Sequence, residues 1–221
     1  MKQSIQYPTK DYERYIEYIS GYCEENELSV VLKGSLADGT AKENSDIDLI
    51  VLGQITKTLM DMMISGYDTP VMTNYTENPK GIFIIVYRNG ICVDIDLRNS
   101  ITPEELRKGT VLVRKDISFV LSDTVNRKEE IDSTYLPDRP EWYKVLRLIH
   151  RALIKYLCGK IHSASQLLGE VLVSLDFIDI RHAETSGDFK RDVIEVFHRI
   201  DKKYNVGCEI RDLFKDLFSQ L

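Results

Sequence analysis

Apolar residues recur at three- and four-residue steps over residues 10–27, where Tyr12, Tyr15, Ile16, Ile19 and Tyr22 form one stripe. That spacing predicts an amphipathic helix. Pro8 and Thr9 mark its start, with Thr9 placed to cap it. Residues 28–33 (LSVVLK) then read as a short strand, broken by Gly34-Ser35. Residues 46–52 (DIDLIVL) predict a second strand, alternating at first and fully apolar at its end. Residues 56–65 read as a methionine-rich helix. The stretch 81–98 predicts a hairpin: GIFIIVY and ICVDIDL are rich in Ile and Val, and Asn89-Gly90 between them is a two-residue turn signal. A short helix over 102–108 opens with Pro103 and two glutamates. Residues 111–121 predict a further strand.

After Ser122 the pattern changes. NRKEEIDSTYLPDRP is polar and carries Pro137 and Pro140, which marks a boundary. Beyond it only helical periodicity remains, over 140–158, 161–182, 187–204 and 207–220, punctuated by Gly159, Gly187 and Gly207. The chain thus divides into an α/β part (1–122), a linker (123–139) and an all-α part (140–221).

Composition narrows the classes. The chain has 221 residues, 43% apolar and 29% charged, which is ordinary for a globular protein and excludes disorder, collagen and coiled-coil arrays. A chain of this length buries roughly 70% of its unfolded surface, enough for a real core. The net charge of −6 argues against a nucleic-acid binder, which needs a basic patch, and is compatible with a cationic small molecule. Cys23, Cys92, Cys158 and Cys208 are scattered without metal-ligand spacing and read as reduced thiols, mostly buried. No run approaches 18 apolar residues, and the opening MKQSIQYPTK lacks the apolar core of a signal peptide. A cytoplasmic protein that does not span a membrane is expected.

The segment that carries chemistry is KGSLADGTAKENSDIDLIVL, residues 33–52. Gly34-Ser35 follows a strand directly, and Asp46-Ile47-Asp48 opens the next one. Side chains alternate along a strand, so Asp46 and Asp48 project from one face. Two carboxylates there repel unless a cation lies between them, and hard divalent ions such as Mg²⁺ take carboxylate and phosphate oxygens together. Gly34 permits close backbone approach, and Ser35 offers a hydroxyl to an anionic group. In the predicted hairpin, Asp94 and Asp96 share a face and supply a third carboxylate. Three carboxylates around two metals can stabilise the attacking and leaving oxygens of a displacement at phosphorus.

GSLADGTAKENSDIDL resembles the signature of the DNA-polymerase-beta-type nucleotidyltransferase superfamily: G-S, about ten residues, then D-x-D. It is similar to the pattern of small bacterial nucleotidyltransferase domains at Gly34, Ser35, Gly39, Thr40, Ser45, Asp46, Ile47, Asp48 and Leu49. Val93-Asp94-Ile95 matches the form of the superfamily's third carboxylate best, with Asp96 second. Residues 142–168 (WYKVLRLIHRALIKYLCGKIHSASQLL) resemble, more loosely, the helical substrate domains of aminoglycoside and lincosamide nucleotidyltransferases. The resemblance implies an α+β fold: a five-stranded mixed sheet flanked by helices, then an all-α helical bundle. It implies transfer of a nucleoside monophosphate, AMP from ATP foremost, to an acceptor hydroxyl of a small molecule, with pyrophosphate leaving. The acceptor class would be cationic, an aminoglycoside or lincosamide, and the protein a monomer or homodimer. By the same resemblance Asp46 and Asp48 bind two Mg²⁺ ions, Asp94 binds one, and Gly34 with Ser35 holds the β and γ phosphates. Asp94 or Asp96 would accept the acceptor's proton, and Arg151 and Lys155 would touch the triphosphate. A protein-modifying (antitoxin-like) transferase and a nucleotide-binding regulatory module without turnover are the alternatives. A nucleic-acid polymerase ranks last.

Other polar and apolar clusters receive plainer readings. Lys33 and Lys42 are the basic groups near the glycine turn, and Asp38 adds a negative charge there. Asp116 reads as a loop residue. His150, His162, His182 and His198 lack metal-ligand spacing and read as surface or helix-packing residues. Met60, Met62 and Met63 read as core. Asp176, Asp179 and Glu184 read as a solvated face.

Overall fold

The computed structural model describes residues 5–75, 82–119, 139–174 and 186–221. The chain divides into two compact units, Met1–Leu136 and Pro137–Leu221. Apart from Arg139, the expected linker 123–139 lies outside the described residues or, at its C-terminal end, at the start of the second unit.

The first unit runs α1 (Lys10–Glu25), β1 (Ser29–Lys33), α2 (Gly34–Ala37), β2 (Ile47–Leu52), α3 (Lys57–Ser65), β3 (Pro70–Tyr75), β4 (Phe83–Tyr87), β5 (Cys92–Arg98), β6 (Ser100–Ile101), α4 (Pro103–Lys108), β7 (Thr110–Val113) and β8 (Ser118–Phe119). Six strands form one mixed sheet in the order β3-β4-β5-β2-β1-β7. β2 and β5 are parallel, and the other neighbours are antiparallel. The expected count of five omits β3. That strand is an edge strand whose only partner among the described residues is β4, it begins with Pro70, and its Thr73 and Asn74 break the apolar pattern that marks central strands.

The two faces of the sheet differ. Val30, Leu32, Leu49, Val51, Val93, Ile95 and Leu97 pack against the α1 stripe of Tyr12, Tyr15, Ile16 and Ile19 and against Met60 and Met63 of α3. Met62 departs from expectation and is exposed, because the phase that turns Met60 and Met63 inward turns it outward. On the other face Val31, Ile50, Leu52 and Ile101 form a smaller cluster, with Leu106, Val111 and Ile117 packed on it.

Three local readings change. Thr9 occupies the N-cap position of α1 but its side chain makes no capping hydrogen bond. The hairpin loop is Arg88-Asn89-Gly90, three residues long, closed by Tyr87 N–H to Ile91 O at 2.9 Å, with the positive φ of 83° at Gly90. The strand expected over 111–121 is two pieces, β7 and β8, because Lys115 leaves the sheet edge: its N–H donates to Ser29 Oγ (2.8 Å) and its ammonium meets Glu24 (2.9 Å).

The second unit contains α5 (Glu141–Leu157), α6 (Ile161–Ser174), α7 (Ser186–Tyr204) and α8 (Cys208–Ser219) among the described residues. The helix expected over 161–182 is described as far as Ser174; residues 175–185, with His182, Asp176, Asp179 and Glu184, lie outside the described set. Leu146, Ile149, Leu153, Leu168, Val171, Val193, Val196 and Ile200 make its core. Stacked rings add to it: Phe197 on Phe214 (4.5 Å) and Tyr156 on Phe189 (4.4 Å). Among the described residues no helix is long and apolar enough to cross a membrane.

His150 is buried in this core, packed edge-on to Phe214. Burial, and then the Arg147 charge, lower its pKa from 6.5 to about 3. The folded chain therefore binds no proton there at pH 5 while the unfolded chain does. Stability contributed by the neutral ring is complete above pH 6.5 and is lost as pH falls from 6.5 towards 3. Urea melts at pH 7.5 and pH 5 should show the helical unit weakened by about 2 kcal/mol at the lower pH. His150→Leu should remove most of that difference.

Candidate active site

β1 ends at Lys33 and the chain turns at once. Gly34 has φ 63°, in the left-handed region that glycine adopts without strain. A Cβ at Gly34 would collide with the carboxylate oxygen Oδ2 of Asp48. Glycine is thus required twice, by the backbone angle and by the carboxylate that lies against it. Ser35 follows, half-buried, and its carbonyl accepts from Thr40 N–H at 2.8 Å, closing the turn. Residues 42–45 make a second turn, with Lys42 N–H donating to Ser45 Oγ (2.8 Å). The hydroxyl of Tyr12, carried by α1, reaches the carbonyls of Glu43 (2.8 Å) and Ser45 (2.6 Å). The helix thereby anchors the segment that delivers Asp46 and β2.

Register brings the acids together. Asp48 is paired with Lys33 of β1 on one side and with Asp94 of β5 on the other. Two pairs along, Ile50 is paired with Asp96. Side chains at paired positions share a face, so Asp48, Asp94 and Asp96 all project on the side opposite the α1 core. Asp46 stands one residue before β2, half-buried. Among the described residues no three His, Cys, Asp or Glu side chains form a group that could hold a metal ion. What the strands set side by side is the pair Asp48 and Asp94, with Asp46 two residues before Asp48.

Asp96 has a different environment from Asp94. It is 3% exposed and bonded to Arg98, itself 2% exposed. Arg98 Nη1 donates to both oxygens of Glu105 at 3.0 Å. Glu105 belongs to a capping box with Thr102 at the start of α4. Lys33 Nζ lies 3.8 Å from Asp96 Oδ2. Burial lowers the Lys33 pKa, while Asp96 pulls it upward. Burial alone would lower Arg98, but its bonds to Asp96 and Glu105 raise it above its ordinary value. Asp96 is therefore part of a closed chain of charges and not a solvated group. Arg98, Glu105 and Tyr12 were not singled out from the sequence. The signals were present: Asp96 and Arg98 at i, i+2 on one strand, Thr102-x-x-Glu105 as a capping box, and Tyr12 within the α1 stripe.

Arg151 and Lys155 lie one turn apart on α5, in the second unit, with Arg151 exposed and Lys155 half-buried. Asp116 is exposed, in the loop before β8. His162 and His198 are exposed. Cys23 and Cys92 are buried, whereas Cys208 is exposed.

Two oxygen donors on neighbouring strands, one of them seated against a glycine, suit a hard divalent cation. Mg²⁺ is commonly held by one or two carboxylates together with substrate phosphates. The residues present therefore fit such an ion.

A mixed sheet with a Gly-Ser turn after one strand and paired acids on the next two defines a nucleotidyl-transferring domain. Residues 16–117 match the family model described as nucleotidyltransferase domain, which supports the nucleotidyltransferase superfamily for this portion of the chain. No curated protein matches the sequence significantly.

Two substitutions test the geometry. Gly34→Ala should destabilise the first unit by about 1–3 kcal/mol through strain and displacement of the Asp48 carboxylate, read by urea denaturation. Arg98→Met would leave Asp96 buried with only the more distant Lys33. It should cost about 3 kcal/mol in the same measurement, and Asp96→Asn combined with Arg98→Met should recover part of that loss.

Proposed function

We propose that this protein is a Mg²⁺-dependent transferase that moves a nucleoside monophosphate, AMP from ATP foremost, to a hydroxyl of a small cationic acceptor. The observation that carries the reading is the register pairing of Asp48 with Asp94, with the Asp48 carboxylate seated against Gly34. Asp48 and Asp94 would hold Mg²⁺ ions jointly with the substrate phosphates, and Asp46, two residues before Asp48, is the acid nearest in sequence to join them. Those ions would supply Lewis-acid stabilisation of the charge developing at phosphorus and on the leaving pyrophosphate.

The chain's own residues do the rest. Gly34 lets the triphosphate approach the backbone closely, and the Ser35 hydroxyl donates to a β or γ phosphate oxygen. The Tyr12 anchor keeps the turn before Asp46 in place while the triphosphate enters. Of the two carboxylates suited to take the acceptor's proton, Asp96 is committed to Arg98, so Asp94 is the acceptor-facing group. The net charge of −6 favours a cationic acceptor such as an aminoglycoside or lincosamide.

The test is pyrophosphate release by the full chain with each nucleoside triphosphate, Mg²⁺ and a panel of aminoglycosides and lincosamides. Acceptor-dependent release is expected, and Asp48→Asn and Asp94→Asn should each lower it at least about a hundredfold. Thermal stability of both variants should stay near or above that of the parent, since each removes one of two neighbouring like charges. Undiminished turnover in Asp48→Asn, or no release with any triphosphate and acceptor, would overturn the reading. Transfer of label from ATP to a protein band would move the acceptor to a protein side chain.

A further inference from the structure

Lys33 closes β1 in register with Asp48, and Asp48 is in register with Asp94. One cation and two carboxylates thus form a row across three strands. The Lys33 ammonium does not stay above its own strand. Its Nζ is 3.8 Å from Asp96 Oδ2, and Asp96 is on β5, beyond β2 in the sheet order β1-β2-β5. Neighbouring strands lie about 4.8 Å apart, so the side chain crosses over β2 to reach that partner. Asp96 is paired with Ile50, two pairs further into the sheet than the Asp48–Asp94 pair. The ammonium therefore sits on the inward side of the acid pair.

Its anchor is rigid. Asp96 is bonded to Arg98, Arg98 to Glu105, and Glu105 to the Thr102 cap of α4. Asp96, Arg98 and Glu105 together carry one net negative charge, which Lys33 neutralises. Removing the Lys33 charge would leave that negative charge beside two further carboxylates.

We propose that Lys33 is a positioning residue for the acid pair: its ammonium, tethered to Asp96, offsets the repulsion between Asp48 and Asp94 before a divalent cation arrives and opposes that cation once it binds. The inference rests on the reading of Asp48 and Asp94 as divalent-cation ligands. It has a consequence that a purely structural lysine lacks. The same charge that stabilises the metal-free chain weakens metal binding, so its loss moves the two properties in opposite directions.

The experiment compares the full-length wild type with Lys33→Met and Lys33→Arg, using Mg²⁺ and Mn²⁺ alone as probes. Calorimetric titration gives affinity, and thermal melts are recorded without divalent ion and at saturating Mg²⁺. Lys33→Met should bind both ions about five- to tenfold more tightly. Its melting temperature should fall below wild type without metal and recover at saturating Mg²⁺. Lys33→Arg keeps the charge and should follow the wild type in both measurements. Should Lys33→Met not fold, Lys33→Gln serves as the second neutral variant. Unchanged or weaker ion binding by the neutral variant, or a melting deficit equal with and without Mg²⁺, overturns the role of Lys33 alone. A wild-type chain that binds neither ion overturns the ligand reading as well.

Discussion

The parallel pairing of β2 with β5 is the constraint on which the site depends. It places Asp48 and Asp94 as direct neighbours, an arrangement opposed by Coulomb repulsion of roughly 3 kcal/mol at about 5–6 Å in a partly solvated setting. Nothing local to either strand compels it. The register is fixed instead by the opposite face, where Leu49, Val51, Val93, Ile95 and Leu97 meet the α1 and α3 core. A slip of one residue would turn all of those side chains out of the core. Hydrophobic burial on one face thus forces two like charges together on the other.

The buried charges on the acid face follow from the same constraint. Asp96 cannot avoid the interior once the register is set, and a buried carboxylate without a counter-charge would be very costly. Arg98, two residues along the same strand, supplies that charge, and Glu105 balances the guanidinium in turn. Because Glu105 also caps α4, the short helix is held by its capping box and by the ion pair together. The arrangement links the last turn of β5 to the element that covers the smaller apolar cluster of Val31, Ile50, Leu52 and Ile101.

Much of this was legible in the sequence, for identifiable reasons. The α1 stripe, the central strands and the Gly-Ser turn are written in periodicity and in residues with narrow conformational roles. Edge strand β3 was hidden because an edge needs only a half-apolar pattern and tolerates Pro70 at its start. The split of β7 from β8 depends on Lys115 meeting Ser29 and Glu24, contacts between residues some 86 to 91 positions apart that no local window contains. The helical phase that turns Met62 outward was readable, but its place between Met60 and Met63 suggested a core cluster. The pairing of Asp48 with Asp94 follows from strand order, which sequence spacing alone does not supply.

Depth along the strand separates the two hairpin acids more sharply than the motif does. Asp94 is paired with Asp48 near the strand ends and is half-buried, whereas Asp96 is two pairs further in and 3% exposed. A step of two residues, about 6.6 Å, separates a half-buried carboxylate beside Asp48 from a buried one bonded to Arg98. Both sit on the same face, both follow an apolar residue, and a pattern written in residue types treats them alike. Asp94 is thus the outer acid, paired with Asp48, and Asp96 the inner one, bonded to Arg98 with Lys33 nearby. The residue types are the same at both positions, and the register alone sets one beside Asp48 and the other against Arg98.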